Sequence, residues 1–410
     1  MTSVALLGYG TVGSGVFDLI EKNSKNTLQS YDEFINISHV LVKNIRKHQA
    51  NKHYPLFTDS YEDIINSDCD IVIEVIGGIH PAYEYIKKAI MARKHIITAN
   101  KDLIAEYGEE LMSLANKYHV SLNYEASVGG SIPVLKTIKE SLAAHPVNSI
   151  TGILNGTTNY ILSKMYNENI SYEDALIDAQ EAGFAEADPS SDVLGFDAAR
   201  KLSILTQLSM NKILKVKDIL IDGITNLDEK DITVAKKLGY KIKLVGKSIQ
   251  YDHCLHAFVK PVYVKANSML GLIDNEYNTV QMNLESIGEM TFSGKGAGKH
   301  PTASAIYGDI LDILLNDKKV IEPTITRPKI CHYAQGKHEW LVRMYSLNQP
   351  INLEKILKFF TDGNMEIKDF ENPNDLSFTI KGISESTLFE VIQKLQNLNI
   401  ISVSKYFMIL

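Results

Sequence analysis

Apolar runs and polar punctuation divide the chain into three stretches. An apolar run at 3–7 stops at a cluster of glycines and gives way to a helical pattern, as a buried strand, a tight turn and a helix would. Further apolar runs at 35–42, 70–76, 95–99 and 121–124 read as strands, with helices expected from Pro81 and over 103–118. Strands and helices in alternation argue for an α/β domain with a parallel sheet. From about Ser131 the character changes. Helices at 134–143, up to Met165 and at 172–182, with strands at 149–154, 243–249, 255–264 and 280–287, make a mixed α+β middle region before helix 302–315. Residues 321–329 hold two prolines and little pattern, and read as a linker. After it, strands at 339–346, 366–370, 376–380 and 400–408 interleave with helices 353–360 and 387–398 as βαββαβ, the ferredoxin-like order. The expected domains are a Rossmann-type 1–130 completed by helix 301–316, a middle 131–320, and a self-contained tail 335–410 sharing few contacts with the rest.

Length and charge narrow the function. At 410 residues the chain is long for one core, which agrees with several domains. A net charge of −7 argues against nucleic acid as a main partner, the basic run at 43–52 being a local exception. Cys69, Cys254 and Cys331 are scattered, odd in number and without zinc spacing, so they read as reduced thiols of a cytoplasmic protein. No signal peptide is expected, because the first strand begins at Ser3, and no apolar run reaches membrane-spanning length.

The glycines at 8, 10 and 13 carry the first candidate chemistry. Gly8 suits a tight turn, Gly10 lets backbone approach a pyrophosphate and Gly13 permits close helix–strand packing. The helix starting at Thr11 and Val12 would aim free N–H groups at the phosphates. A plain glycine turn is the alternative. The second strand ends without an acid to grip a ribose 2′-hydroxyl; Lys43, Arg46 and Lys47 stand there instead, which favours NADP over NAD. The bland reading is a solvated basic loop. Lys101 follows a strand end and so faces a ligand crevice, unless it is only an exposed helix-start lysine. Glu125 precedes Gly129 and Gly130, where a carboxylate and unpaired carbonyls would suit a hard cation. Gly294, Gly296 and Gly298 form a second glycine turn, closing over a cofactor or merely ending a hairpin.

The densest stretch is 183–205, with Glu186, Asp188, Asp192, Asp197, Arg200 and Lys201 leading from a loop into a helix at about Phe196. Asp197 and Lys201 meet at i, i+4, which on a solvated face contributes only about 0.2–0.5 kcal/mol. Acids gathered around one lysine also suit a substrate bearing an ammonium group and an oxygen that gains or loses a proton.

With these residues assembled, the chain resembles homoserine dehydrogenases over nearly its whole length. The most specific match is Gly183-Phe184-Ala185-x-x-Asp188-Pro189-x-x-Asp192-Val193-x-Gly195-x-Asp197-x-x-x-Lys201. Gly8-Tyr9-Gly10-Thr11-Val12-Gly13, Thr98-Ala99-Asn100-Lys101, Glu125 to Gly130, Asn155-Gly156-Thr157-Thr158-Asn159 and Gly294-x-Gly296-Ala297-Gly298 support it. The tail resembles an ACT regulatory domain, although Ile351 follows Asn348-Gln349-Pro350 where glycine is usual. The resemblance implies hydride transfer between L-aspartate 4-semialdehyde and L-homoserine with NADP, or NAD. It makes Lys201 the acid–base group, with Asp197 orienting that lysine or the substrate hydroxyl. Glu186, Asp192 and Asp197 become substrate ligands, and Lys101 lies between nicotinamide and substrate. Gly183 and Gly298 contact the cofactor, and Glu125, Val128, Gly130 and Ile132 hold a monovalent cation such as Na⁺. It also implies a homodimer through the middle sheet, and a tetramer if the tails associate. Another NADP-dependent reductase of an amino-acid aldehyde or imine, or a silent amino-acid sensor, are the rival readings; intact Lys101, Glu186, Asp197 and Lys201 speak against the sensor.

Overall fold

The structure is a computed structural model that describes residues 1–315, 325–332, 336–347, 350–360 and 364–410. The start of the expected linker, 321–324, and Asn348 and Gln349 of the tail's first loop lie outside the described residues. Two compact units divide the chain. The first comprises Met1–Ile150, Arg200–Lys217 and Asn278–Arg327; the second comprises Thr151–Ala199, Asp218–Tyr277 and Pro328–Leu410.

In chain order, the N-terminal elements are β1 (Thr2–Leu7), α1 (Thr11–Tyr31), β2 (Ile35–Leu41), β3 (Phe57–Thr58), α2 (Tyr61–Ile65), β4 (Ile71–Glu74), α3 (Ala82–Met91), β5 (His95–Thr98), α4 (Lys101–Tyr118) and β6 (Leu122–Asn123). After them come α5 (Val134–Lys139), β7 (Val147–Ile153), α6 (Gly156–Glu168), α7 (Tyr172–Glu181), α8 (Ser190–Val193) and α9 (Phe196–Met210). The middle continues with β8 (Leu220–Ile221), α10 (Glu229–Lys237), β9 (Tyr240–Gln250), β10 (Leu255–Lys265), β11 (Tyr277–Leu284), β12 (Gly288–Lys295), α11 (Lys299–Leu315) and β13 (Ile330–Cys331). The tail is β14 (His338–Tyr345), α12 (Leu353–Leu357), β15 (Asn364–Asn372), β16 (Asp375–Ile383), α13 (Glu385–Asn397) and β17 (Val403–Met408).

In the first unit, six parallel strands run in the order β3-β2-β1-β4-β5-β6. That is the dinucleotide-binding order, and its direction reverses at β1, where a ligand crevice opens beyond the strand ends. Val4 and Leu6 of β1 are buried with Val16, Phe17 and Ile20 of α1. Ala303, Ile306 and Ile310 of α11 join the same cluster, so this late helix packs in the core of the first unit. Two expectations need correction here. Helix 134–143 stops at Lys139, because the chain folds back and Leu142 N–H bonds to the Thr137 carbonyl at 2.9 Å. The supposed glycine turn at 290–300 is mostly strand β12; the period-2 alternation was hidden by glycine content, and the turn begins only at Gly296.

In the second unit β9 and β10 pair antiparallel over eleven residues, and β8 and β13 pair parallel with β10, which makes a mixed sheet. Helix α10 has no counterpart in the sequence reading. Its residues are mostly polar, and a capping box between Asp228 and Asp231 starts it where an apolar stripe would not. The tail has the expected βαββαβ order and an antiparallel sheet β15-β16-β14-β17.

The tail does not stand apart from the rest of this unit. Val245, Phe258, Val262 and Val264 of the middle strands share one buried cluster with Trp340, Val342, Met344, Phe378 and Leu388 of the tail. A buried ionic network reinforces it. The Arg343 guanidinium donates to Asp228 at 2.6 Å, Asp231 at 2.8 Å and Asp375 at 2.8 Å, while Lys405 bonds Asp228 and Asp231 at 2.9 and 2.8 Å. The expectation of few contacts fails because strand alternation shows that a face is apolar, but not what covers it. The cysteine expectation also changes. Cys254 and Cys331 form a disulfide, their Cα atoms 5.8 Å apart, and only Cys69, which is buried, is free. A separation of 77 residues in sequence conceals that Cys254, just before β10, adjoins Cys331 of the neighbouring strand β13.

Candidate active site

The first unit supplies a cradle for a dinucleotide. Gly8 turns the chain after β1 with φ +107°, and a Cβ there would lie 3.0 Å from the Val75 carbonyl. A Cβ on Gly13 would lie 2.2 Å from the Gly8 carbonyl, so the turn closes only with glycine. At Gly10 a Cβ would meet no protein atom within 4 Å; the space it leaves open suits a ligand. Thr11, Val12 and Gly13 form the first turn of α1, whose amides carry the positive end of a long helix. These residues fit a nicotinamide dinucleotide. Gly298 has φ +119° immediately before α11.

Beyond β2, Lys43 and Arg46 are exposed, and the Asn44 side chain accepts from the Arg46 N–H at 3.1 Å. Tyr9, His48 and Phe57 cluster beside this turn. His48 stacks on Phe57 at 4.8 Å and Tyr9 meets Phe57 edge-on at 4.9 Å, tying the basic segment to the glycine loop. Only the aromatic inside the Gly8–Gly13 motif hinted at this.

Glu74 ends β4 fully buried, accepting from the N–H groups of Ile76 and Gly77 and, at 2.6 Å, from the Thr98 hydroxyl. Burial pushes its carboxyl above the ordinary range, and those hydrogen bonds offset part of the shift. Asn100 donates to the Gly78 carbonyl at 2.5 Å while capping α4 through Leu103 N–H. Both fix the loop beyond β4 against the helix that begins with Lys101. The adjacent Asp102 pairs with Arg200, neighbour of Lys201, at 2.5 Å. The surroundings of the two candidate lysines are therefore tied together within this unit.

The second unit supplies carboxylates. Asn155 caps α6, accepting from Thr158 N–H at 2.8 Å, and its amide donates to Asp192 at 2.7 Å and Asp197 at 2.8 Å. One neutral side chain thus gathers two acids that the sequence separates. Asp197 and Lys201 lie one turn apart on α9, 3% and 8% exposed, so the solvated-face reading of that pair fails. Glu186 is exposed, as is Gly183, whose φ is +76°. Asp188 is a loop brace: its carboxylate accepts from the Ser190 N–H and hydroxyl, which hold it below its ordinary range. In the sequence Asn155 stands out only as the first residue of the motif Asn155-Gly156-Thr157-Thr158-Asn159.

Around Glu125 the first unit forms a cleft of about 140 Å³ lined by Gly130, Ile132, Lys136, Asp309 and Asp312. The Glu125 carboxylate accepts from Leu135 and Lys136 N–H at 2.9 and 2.6 Å and so caps α5. The Ile132 carbonyl accepts from Val134 N–H at 2.7 Å, whereas the Val128 and Gly130 carbonyls take no backbone hydrogen bond among the described residues. Asp309 holds Glu125 N–H at 3.0 Å, and burial raises its carboxyl well above the ordinary range. The donor set fits a hard cation through its free carbonyls, with the Glu125 side chain already engaged.

Comparison with known proteins identifies the family. Residues 8–125 match the family model for the homoserine dehydrogenase NAD-binding domain, and residues 133–311 match the homoserine dehydrogenase model. The homoserine dehydrogenase of Bacillus subtilis is 34% identical, with 97% of this chain and 95% of that protein covered. That of Synechocystis is 39% identical, with 89% and 91% covered. The crystal structure of a homoserine dehydrogenase from Thiobacillus denitrificans superposes with a TM-score of 0.91 at 28% identity over 100% of this chain and 98% of that one. That of Staphylococcus aureus gives 0.83 at 34% identity, covering 100% and 98%. The chain belongs to the homoserine dehydrogenase family.

Proposed function

We propose that this chain interconverts L-aspartate 4-semialdehyde and L-homoserine with Lys201 as its proton-transfer group. The bound nicotinamide cofactor supplies or accepts the hydride. Lys201 donates a proton to the aldehyde oxygen during reduction and removes it from the homoserine hydroxyl in reverse. Asp197 orients that lysine or the hydroxyl. Glu186 pairs with the substrate ammonium, a charge-assisted contact, and Asp192 is a further substrate ligand. Lys101, at the strand end that faces the cofactor crevice, lies between nicotinamide and substrate. The observation that carries this reading is the Asn155 amide, which draws together Asp192 and Asp197, the latter one helical turn before the buried Lys201 along α9.

Exposed Lys43 and Arg46, with no competing acid, support NADP over NAD. Val128 and Gly130, with Glu125 and Ile132, support a monovalent cation, Na⁺ among them, whose part is to brace the loop after β6. The domain boundaries near 130 and 320, the ACT identity of the tail, a homodimer or tail-linked homotetramer and a cytoplasmic location belong to the same reading. No described helix is long and apolar enough to cross a membrane.

The test is a spectrophotometric assay with homoserine and each oxidised cofactor. Lys201→Ala should lose roughly 100-fold or more of turnover while binding NADP normally, because it deletes the acid–base group and no phosphate contact. Near-normal turnover of Lys201→Ala would overturn the assignment.

A further inference from the structure

A lysine at the far end of α6's first turn has no part in the chemistry above. Lys243 lies on β9 and is 1% exposed. A buried lysine without a partner is costly, and this one is fully satisfied: its ammonium has three donors and meets three acceptors. These are the Asn159 side-chain oxygen at 2.9 Å, the Ile273 carbonyl at 2.5 Å and the Asp274 carboxylate at 2.9 Å. Asn159 is itself buried, and its amide bonds the Ile273 and Tyr277 carbonyls at 3.1 and 3.0 Å. Its backbone N–H bonds the Asn155 carbonyl at 3.3 Å. Asn155 in turn holds Asp192 and Asp197. A continuous chain of hydrogen bonds thus runs from Lys243 through the first turn of α6 to both carboxylates, all within the second unit.

We propose that Lys243 is a positioning residue for the substrate-binding carboxylates, acting through Asn159 and Asn155. It sets the rotation and height of the first turn of α6, and with them the point from which the Asn155 amide reaches Asp192 and Asp197. A buried lysine is suited to this because one side chain fixes a helix, a strand and the 273–277 loop at a single point. A buried apolar residue in its place would fill the space but donate no hydrogen bond to Asn159, so one directed tie on the helix would be lost. Burial drives the ammonium down to about 8, with Asp274 opposing the shift and Lys241 adding to it, which shows how closely the site is enclosed. The proposal rests on Asp192 and Asp197 binding substrate.

The experiment measures kcat and KM for homoserine in the full-length enzyme, with kcat expressed per NADP-binding site counted by titration. Lys243→Gln and Asp274→Ala are compared with wild type, and Asp197→Asn is the reference. For Lys243→Gln the expected result is a loss of ~10- to 100-fold in kcat/KM per site, with KM raised and NADP affinity kept, as for a modest misplacement of binding groups. Asp274 is partly exposed, so its variant tests the same chain if Lys243→Gln does not fold; it should shift KM in the same direction by a smaller factor. A merely structural lysine would lower the melting temperature and the number of binding sites while leaving KM and kcat per site unchanged, and that result would overturn the proposal. If Asp197→Asn retains full activity, the reading of the carboxylates fails instead. If Asp197→Asn is impaired and neither clamp variant is, only the role of Lys243 falls.

Discussion

On the proposed reading, the glycine loop of the first unit and the carboxylate cluster of the second would meet their ligands by opposite means. The loop offers backbone, and its requirement is the absence of atoms: a Cβ on Gly13 would strike the Gly8 carbonyl. The cluster offers side chains, and its requirement is orientation, supplied by the Asn155 amide. Substitutions should therefore fail differently at the two ends. Added atoms damage the first through sterics, removed atoms damage the second through lost direction, and neither failure should spread to the other ligand.

The sharpest test is Gly13→Ala. No flexible side chain can yield to that Cβ, so the backbone must move, at a cost on the order of 1–3 kcal/mol in stability, with NADP affinity falling alongside. Gly10→Ala, facing open space, should leave the melting temperature alone and weaken only NADP; equal thermal losses at both positions would end the distinction between packing and ligand clearance. Next in size is Asn155→Ala, expected to lower kcat/KM for homoserine by ~10- to 100-fold with unaltered NADP binding. A parallel loss of cofactor affinity would mean that the two ends are not independent. Replacing Lys43 and Arg46 together by alanine should weaken NADP by about tenfold and leave NAD unchanged, a difference of roughly 1.4 kcal/mol. Equal losses for the two cofactors would place these side chains away from the 2′-position.

The smallest effect concerns pH. Lys243 sits at about 8 in the fold against an ordinary 10.5, and the charged groups facing it are Asp274 and Lys241. Between those values the unfolded chain holds a proton that the folded chain has released, so this group makes stability rise with pH by about 1 kcal/mol per unit. Denaturant midpoints from pH 8 to 10 should show that rise in wild type and lack it in Lys243→Met; parallel curves would mean that the lysine titrates normally.

The two ends also differ in how far they could be read in advance. The glycine loop is local: strand, turn and helix adjoin in sequence, so spacing and periodicity place Gly8, Gly10 and Gly13 directly. Parallel strands buried on both faces are short apolar runs, and those too were legible, except the two-residue β3. What escaped depends on distant partners. Asn155 draws its meaning from Asp192 and Asp197, Lys243 from Asn159 and Asp274, and Cys254 from Cys331. Strand β12 and helix α10 escaped for a different reason, because one is rich in glycine and the other mostly polar. The resemblance to a known family supplied roles for Glu186 and Lys101 that spacing alone did not.

The cluster that joins the tail to the middle strands has a consequence for the newly made protein. The second unit is assembled from three separated segments, and Trp340, Phe378 and Leu388 of the last one finish the core begun by Val245 and Phe258. During synthesis the chain emerges at ~5–20 residues per second, so β9 and β10 wait several seconds for the strands that cover them. The first unit is complete earlier, since α11 is made before the tail. For that interval an apolar sheet face is bare on an otherwise maturing chain, and it is there that a holding chaperone, or a mispaired neighbour on the same message, would first make contact.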